Sequence, residues 1–419
     1  MVNTSIITIG DELLIGQVID TNSAWMAQQL NKSGIRVNRR VAVGDVWDEI
    51  WNALDEESKH ADIILITGGL GPTADDITKP LLCKYFGGKL TVNEQALQNV
   101  TVLFEKIFKR PLTERNIKQA EVPDVCTVIQ NKRGTAPGMI FEKNGKIFIS
   151  MPGVPHEMKG MMESDVIPLL SSRFEVPYIT HRTLMTFGIG ESMIADRIQD
   201  YEENLPAHIK LAYLPNYGMV RLRLTASGKD KQGIDQEVDN LFATLQELVS
   251  DHIVTNRDEK MEEVVAKLLA QQQKTLSTAE SCTGGFIAHL LTSIPGSSVF
   301  YKGSIVSYSN EIKKELLDVM DQTLEEKGAV SEEVVIQMVK GALKQLKTDY
   351  AVAVSGIMGP DGGTPEKPVG TAWMAAGNNR EIITQKLHFR FERQLNIQLT
   401  AVNALNLLRK FIVENNKAV

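Results

Sequence analysis

Ile63-Ile64-Leu65-Ile66-Thr67-Gly68-Gly69-Leu70-Gly71-Pro72-Thr73 is the stretch that sets the architecture. Four consecutive apolar residues make a strand apolar on both faces, as in a parallel sheet covered by helices on both sides. The glycine-rich turn feeds a helix expected from about Ile77. Toward the N-terminus, Ile6, Ile7 and Ile9 form a strand ending at Gly10. Asp20-Thr21-Asn22 offers N-cap chemistry for a helix through Leu30, which Gly34 stops. A second strand follows near Ile35 to Val43, and Trp47, Ile50, Trp51 and Leu54 recur at helical spacing. This βαβαβ rhythm predicts a doubly wound sheet. In the other direction, Asn144-Gly145 between two apolar runs predicts a hairpin, and a helix is expected after Pro155.

The rhythm then changes twice, which predicts three domains, 1–172, 173–255 and 256–419. The middle block reads as a small βαββαβ-like α+β domain, with a helix from about Asp235 to Val249. Its Gly188-Ile189-Gly190 is not a GXXG loop, so single-stranded RNA binding is unsupported. It is expected to be a spacer or a dimerisation module, which makes the protein a homodimer. The third block predicts strands around Thr275, Ile305, Val352, Ala372 and Ile383, and a closing helix from about Arg393 to Val413. The fold class is α/β, with an α/β domain at each end.

Composition narrows the function. The 419 residues carry a net charge of −7, which argues against broad nucleic-acid binding driven by phosphate contacts. Three scattered cysteines, Cys83, Cys126 and Cys282, form neither a disulfide framework nor a zinc site. There is no signal-peptide pattern and no apolar run long enough to span a membrane. A cytoplasmic protein of small-molecule metabolism is expected.

The N-terminal block offers phosphate chemistry. Backbone N–H groups of Gly68, Gly69, Gly71 and Thr73 can approach phosphate oxygens, and the following helix start adds partial positive charge. Asp75 and Asp76 would repel a phosphate unless a hard cation bridges them. Asp11 and Glu12 end the first strand on the same sheet edge. Asp11, Asp75 and Asp76 are therefore candidate ligands of a divalent metal such as Mg²⁺, Mn²⁺ or Co²⁺. The plain alternative is a tight turn with a helix cap.

These residues carry a resemblance. Gly10-Asp11-Glu12-Leu13-Leu14-Ile15-Gly16, Asp20-Thr21-Asn22, the turn from Thr67 to Thr73 with Asp75-Asp76, and Pro152-Gly153-Val154-Pro155 with Glu157 resemble the CinA family of competence/damage-inducible proteins. That N-terminal domain is similar to the molybdenum cofactor-binding fold of MogA, MoaB and gephyrin. The resemblance implies metal-dependent cleavage of ADP-ribose to AMP and ribose 5-phosphate. It matches Asp76 to the motif aspartate of the molybdopterin-handling relatives.

In the C-terminal block, Ala279-Glu280-Ser281-Cys282-Thr283-Gly284-Gly285 ends a strand and opens a helix. A serine there is exposed to substrate, with backbone N–H groups nearby for an oxyanion. Ser281 is also a plain N-cap candidate, and Cys282 a competing nucleophile or a buried residue. A serine needs a base. His289 and His388 read as core or surface residues, which leaves Tyr308 and Lys313. Asn310 and Glu311 favour a charged Lys313 that lowers the Tyr308 phenol pKa, with neutral Lys313 as the other possibility.

The loop from Gly356 to Gly370, rich in glycine and proline, is long enough to be functional. With the serine turn and Gly328-Ala329-Val330-Ser331, it resembles the CinA C-terminal family of PncC-type nicotinamide mononucleotide deamidases. The resemblance implies hydrolysis of the substrate carboxamide to nicotinate mononucleotide and ammonia, without a cofactor. It makes Ser281 the nucleophile and Tyr308 and Lys313 its activating partners. Ser355 stands where the family usually has threonine, as a hydrogen-bonding residue. Thr283, Gly284, Gly285, Gly362, Gly363 and Thr364 are expected to bind substrate, and Met358 to narrow the pocket. Three readings follow: a two-headed salvage enzyme acting on nicotinamide mononucleotide and ADP-ribose, a deamidase with a nucleotide- or pterin-binding N-terminal domain, or a non-enzymatic partner of competence recombination.

Overall fold

The computed structural model describes residues 2–73, 75–216 and 218–417. The N-terminal sheet has six strands in the order Arg36–Val43, Asn3–Ile9, Ile63–Thr67, Lys146–Met151, Gly138–Lys143 and Thr127–Ile129. The first four run parallel and the last two antiparallel. Ile63–Thr67 is buried throughout. Ile64 and Ile66 face one core, and Ile63 and Leu65 face the other. Asp20 caps the helix Thr21–Lys32 by accepting the Ser23 N–H at 2.9 Å. The hairpin turn puts Asn144 at φ 53° and Gly145 at φ 76°, the left-handed pair a tight hairpin demands. Both crossovers from Asn3–Ile9 and Arg36–Val43 diverge around the first strand. A crevice therefore opens at the carboxyl ends of Asn3–Ile9 and Ile63–Thr67.

The middle block forms a four-stranded sheet in the order Ile209–Asn216, Met219–Gly228, Tyr178–Phe187 and Ile253–Thr255. Where one helix was expected after the first strand there are two short ones, Glu191–Arg197 and Gln199–Glu203. The long helix is Lys231–Leu248. By compactness the chain forms two units, 1–180 with 226–236, and 181–225 with 237–419. The residues of the middle block thus fall to both.

The C-terminal sheet has the order Tyr301–Val306, Leu276–Glu280, Tyr350–Gly356, Thr371–Gly377 and Ile382–His388. The first three strands are parallel and the last two antiparallel. Val352, Val354, Ala372 and Met374 face a core that includes the closing helix Arg393–Lys417. Ala279, Ala351, Ala353 and Ala375 face the helix Glu332–Leu346. Among the described residues, no helix is long and apolar enough to cross a membrane.

Candidate active site

The central strand Leu276–Glu280 lies between two parallel neighbours, with Glu280 level with Val306 on one side and Val354 on the other. The Ser281 N–H donates to Val354 O at 3.1 Å, which extends the sheet by one residue and fixes the start of the turn. Lys313 comes from the helix Asn310–Leu317, whose N-cap Ser309 accepts the Ile312 N–H. Lys313 is 1% exposed. Its Nζ lies 3.1 Å from Ser281 Oγ, 2.8 Å from Ser307 O and 3.5 Å from Tyr308 O. Burial pushes the Lys313 pKa down, against the opposing influence of Cys282 and Glu311.

This geometry separates the two candidate bases by position. Asn310 and Glu311 suggested a lysine kept charged by polar company, but the side chain turns inward and is desolvated. The Tyr308 phenol is 64% exposed and accepts a hydrogen bond from Arg393 Nη2 at 3.2 Å. Only the Tyr308 carbonyl approaches Lys313. The amine, not the phenol, meets Ser281. Cys282 belongs to the apolar core, and burial pushes its thiol up to about 12, which leaves little thiolate at neutral pH.

The remaining predicted residues shape the site. Ser355 Oγ donates to Ala329 O at 2.7 Å, tying the strand end to the 328–331 loop. Gly284 and Gly285 have φ of +60° and +97°, a backbone that L side chains rarely adopt. Thr283 Oγ1 and the Gly285 N–H both donate to Glu280. Those two donors are therefore engaged within the chain rather than free for a substrate. Gly362, Gly363 and Thr364 lie in an exposed loop, where Thr364 Oγ1 accepts the Lys367 N–H at 3.1 Å. Met358 does not narrow a pocket: it is buried in the core beside Thr400. His289 sits on the helix Phe286–Thr292, its ring centroid 6.2 Å from that of Phe286.

Sequence reasoning missed two residues here. Arg393 donates to Gly359 O at 2.7 Å as well as to Tyr308, joining the long loop to the exposed phenol. Glu280 is fully buried beneath the serine turn. A carboxylate closing an otherwise uncharged strand, Leu276 to Glu280, was the available signal for it.

In the N-terminal half, Gly68 and Gly69 have φ of +116° and +64°. The two Asp76 oxygens accept the Gly71 N–H at 2.8 Å, and the Thr73 N–H at 2.8 Å and hydroxyl at 2.5 Å. Asp76 thus holds the turn closed from within. Asp11 instead pairs with Asp45, a residue the sequence reading did not single out. The Asp45 N–H donates to Asp11 Oδ1, and the Asp11 N–H to Asp45 Oδ2, each at 3.1 Å. Burial raises the Asp45 pKa, and the charges of Asp11, Glu12 and Asp75 add to the rise. Among the described residues, no three His, Cys, Asp or Glu side chains gather to hold a metal ion. Asp76 spends both oxygens on the turn and Asp11 braces Asp45, so no step through a metal is derived from the arrangement.

A doubly wound domain at each end and a small α+β block between them define a three-module α/β protein with a serine–lysine pair at a strand end. Family models agree on all three parts. Residues 5–172 match the "Probable molybdopterin binding domain", 181–255 the "Damage-inducible protein CinA KH domain", and 258–412 the "CinA C-terminal domain". A CinA-like protein of Flavobacterium psychrophilum is 45% identical over 412 residues, 98% of this chain and 99% of the relative. A CinA-like protein of Cytophaga hutchinsonii is 45% identical over 409 residues, 98% of each chain. A crystal structure of a competence-damaged protein (CinA) superfamily protein from Klebsiella pneumoniae is 33% identical, with a TM-score of 0.36. It covers 37% of this chain and 99% of its own. The chain belongs to the CinA family.

Proposed function

We propose that the C-terminal domain hydrolyses the carboxamide of nicotinamide mononucleotide to nicotinate mononucleotide and ammonia. The observation that carries the reading is the 3.1 Å approach of a fully buried Lys313 amine to Ser281 Oγ. Desolvation favours the neutral form of the lysine, which can take the serine proton. Ser281 Oγ then adds to the amide carbon, whose oxygen takes up the developing charge. Lys313 hands the proton to the departing nitrogen, which leaves as ammonia. Water, deprotonated by the same amine, cleaves the acyl–serine ester and frees the carboxylate. Incubating the full chain with nicotinamide mononucleotide and measuring ammonia tests the reading; no release above the Ser281→Ala variant would reject it.

The N-terminal domain is proposed to bind a nucleotide or pterin. Engagement of both Asp76 oxygens by the turn favours binding over metal-dependent cleavage of ADP-ribose. AMP release from ADP-ribose that requires added Mn²⁺ and disappears in Asp11→Ala would favour cleavage instead.

A further inference from the structure

We infer that Glu280 is the positioning residue of the Ser281 nucleophile, its buried carboxylate clasping the turn that presents the serine hydroxyl to Lys313. The inference rests on the deamidase reading. Glu280 is 0% exposed, and among the described residues no cation pairs with it. Hydrogen-bond donors surround it instead. One oxygen accepts the Ala288 N–H at 2.8 Å and the hydroxyls of Thr278 and Ser304 at 3.3 Å each. The other accepts Thr283 Oγ1 at 2.7 Å, the Gly285 N–H at 3.1 Å and the Ile287 N–H at 3.0 Å.

The three N–H groups belong to the residue before the helix Phe286–Thr292 and to its first turn, where backbone donors have no intrahelical partner. An anion at that end is favoured. Here the chain supplies its own, so these donors are not free for a substrate phosphate. The turn is held at both ends: Ser281 N–H binds Val354 O, and Thr283, Gly285, Ile287 and Ala288 bind Glu280. Only one residue separates these anchors, so the direction of Ser281 Oγ toward Lys313 depends on the carboxylate. Glutamine in its place would set an amide N–H₂ against a backbone N–H. One donor would lose its acceptor, and the turn would relax.

Steady-state kinetics of the full chain on nicotinamide mononucleotide test this. Glu280→Gln is expected to lower kcat about a hundredfold with KM changed by no more than about threefold, because displacement of a reacting group costs rate rather than binding. Thr283→Val removes one donor and should lower kcat about tenfold at constant KM, whereas Thr283→Ser keeps the donor and should restore it. This pair decides the matter if Glu280→Gln does not fold. Thr283→Val that raises KM and spares kcat would place Thr283 on the substrate and overturn the inference, as would Glu280→Gln with wild-type kcat. A wild-type chain that releases no ammonia refutes the deamidase reading itself; an active wild type with an unaffected Glu280→Gln refutes only the positioning role.

Discussion

Replacing Lys313 with methionine separates the two ways of activating Ser281. Methionine is close in length and shape but has no proton to exchange. The substitution removes the contacts at 3.1 Å to Ser281 Oγ and 2.8 Å to Ser307 O. Loss of a positioned general base costs about 10²–10⁴ in rate, or about 3–5.5 kcal/mol of barrier. Stability should change less. The Ser307 carbonyl loses its donor, while an amine no longer has to be buried, two opposing effects of about 1–3 kcal/mol each. Lys313→Arg should be as inactive as Lys313→Met, because a guanidinium does not deprotonate. Tyr308→Phe, at an exposed phenol bonded to Arg393, should lose no more than about tenfold by the same scale. The pH profile gives a second check. The neutral amine is the working form, so kcat/KM rises with pH through the Lys313 pKa, which burial places below the ordinary lysine value of 10.5. Between the folded and unfolded pKa values the unfolded chain binds more protons, so stability also rises with pH there. Ammonia release followed across pH for the three variants is the assay. Lys313→Met within tenfold of wild type, or Tyr308→Phe more damaged than Lys313→Met, would refute the amine as base.

Three further outcomes are expected. Ser281→Ala should lose about 10³-fold or more in ammonia release while its thermal unfolding stays close to wild type, and mass spectrometry should find no acyl adduct on it. Cys282→Ala should retain turnover but lose about 1–2 kcal/mol of stability in urea unfolding, because the side chain only fills core volume. Asp76→Ala frees the Gly71 and Thr73 donors and removes a charge beside them, and should tighten binding of ADP-ribose to the full chain by calorimetry, with ammonia release untouched with or without chelator.

The fold was legible where periodicity was strong. Ile63–Thr67 reads as buried on both faces from its side chains alone, and the Asn144-Gly145 turn announces its hairpin. The region between Tyr85 and Gly138 was not legible. Its strands Leu90–Val92 and Glu121–Pro123 have three residues each and pair only with one another, too short for alternation to register. The serine turn and Lys313 could be picked out because their residue types carry chemistry. The burial of Lys313 was nonetheless not legible from its polar neighbours Asn310 and Glu311. Sequence neighbours report the surface of a helix, whereas its burial is decided by which face turns inward. Asp45 and Arg393 escaped notice because their partners, Asp11 and Gly359, lie 34 residues away along the chain.

The two ends of the chain solve one problem alike. Each sheet starts with a central parallel strand flanked by the second and third strands of its domain, and each ends in antiparallel pairs. Each leaves a glycine-bearing turn at a strand end, whose backbone donors have no partner within regular secondary structure. Such turns ordinarily attract phosphate. In both, a carboxylate from the chain occupies the donors first: Asp76 on Gly71 and Thr73, Glu280 on Gly285, Ile287 and Ala288. A substrate phosphate at either place would have to displace a bonded carboxylate or sit beside its charge, and both oppose binding. Under the deamidase reading proposed above, recognition of the substrate phosphate by the C-terminal domain would fall to side-chain cations beyond the turn. Arg393, which reaches both Gly359 O and the exposed Tyr308 phenol, is one cation so placed. The self-supplied carboxylate leaves the turn itself to hold Ser281 against Lys313.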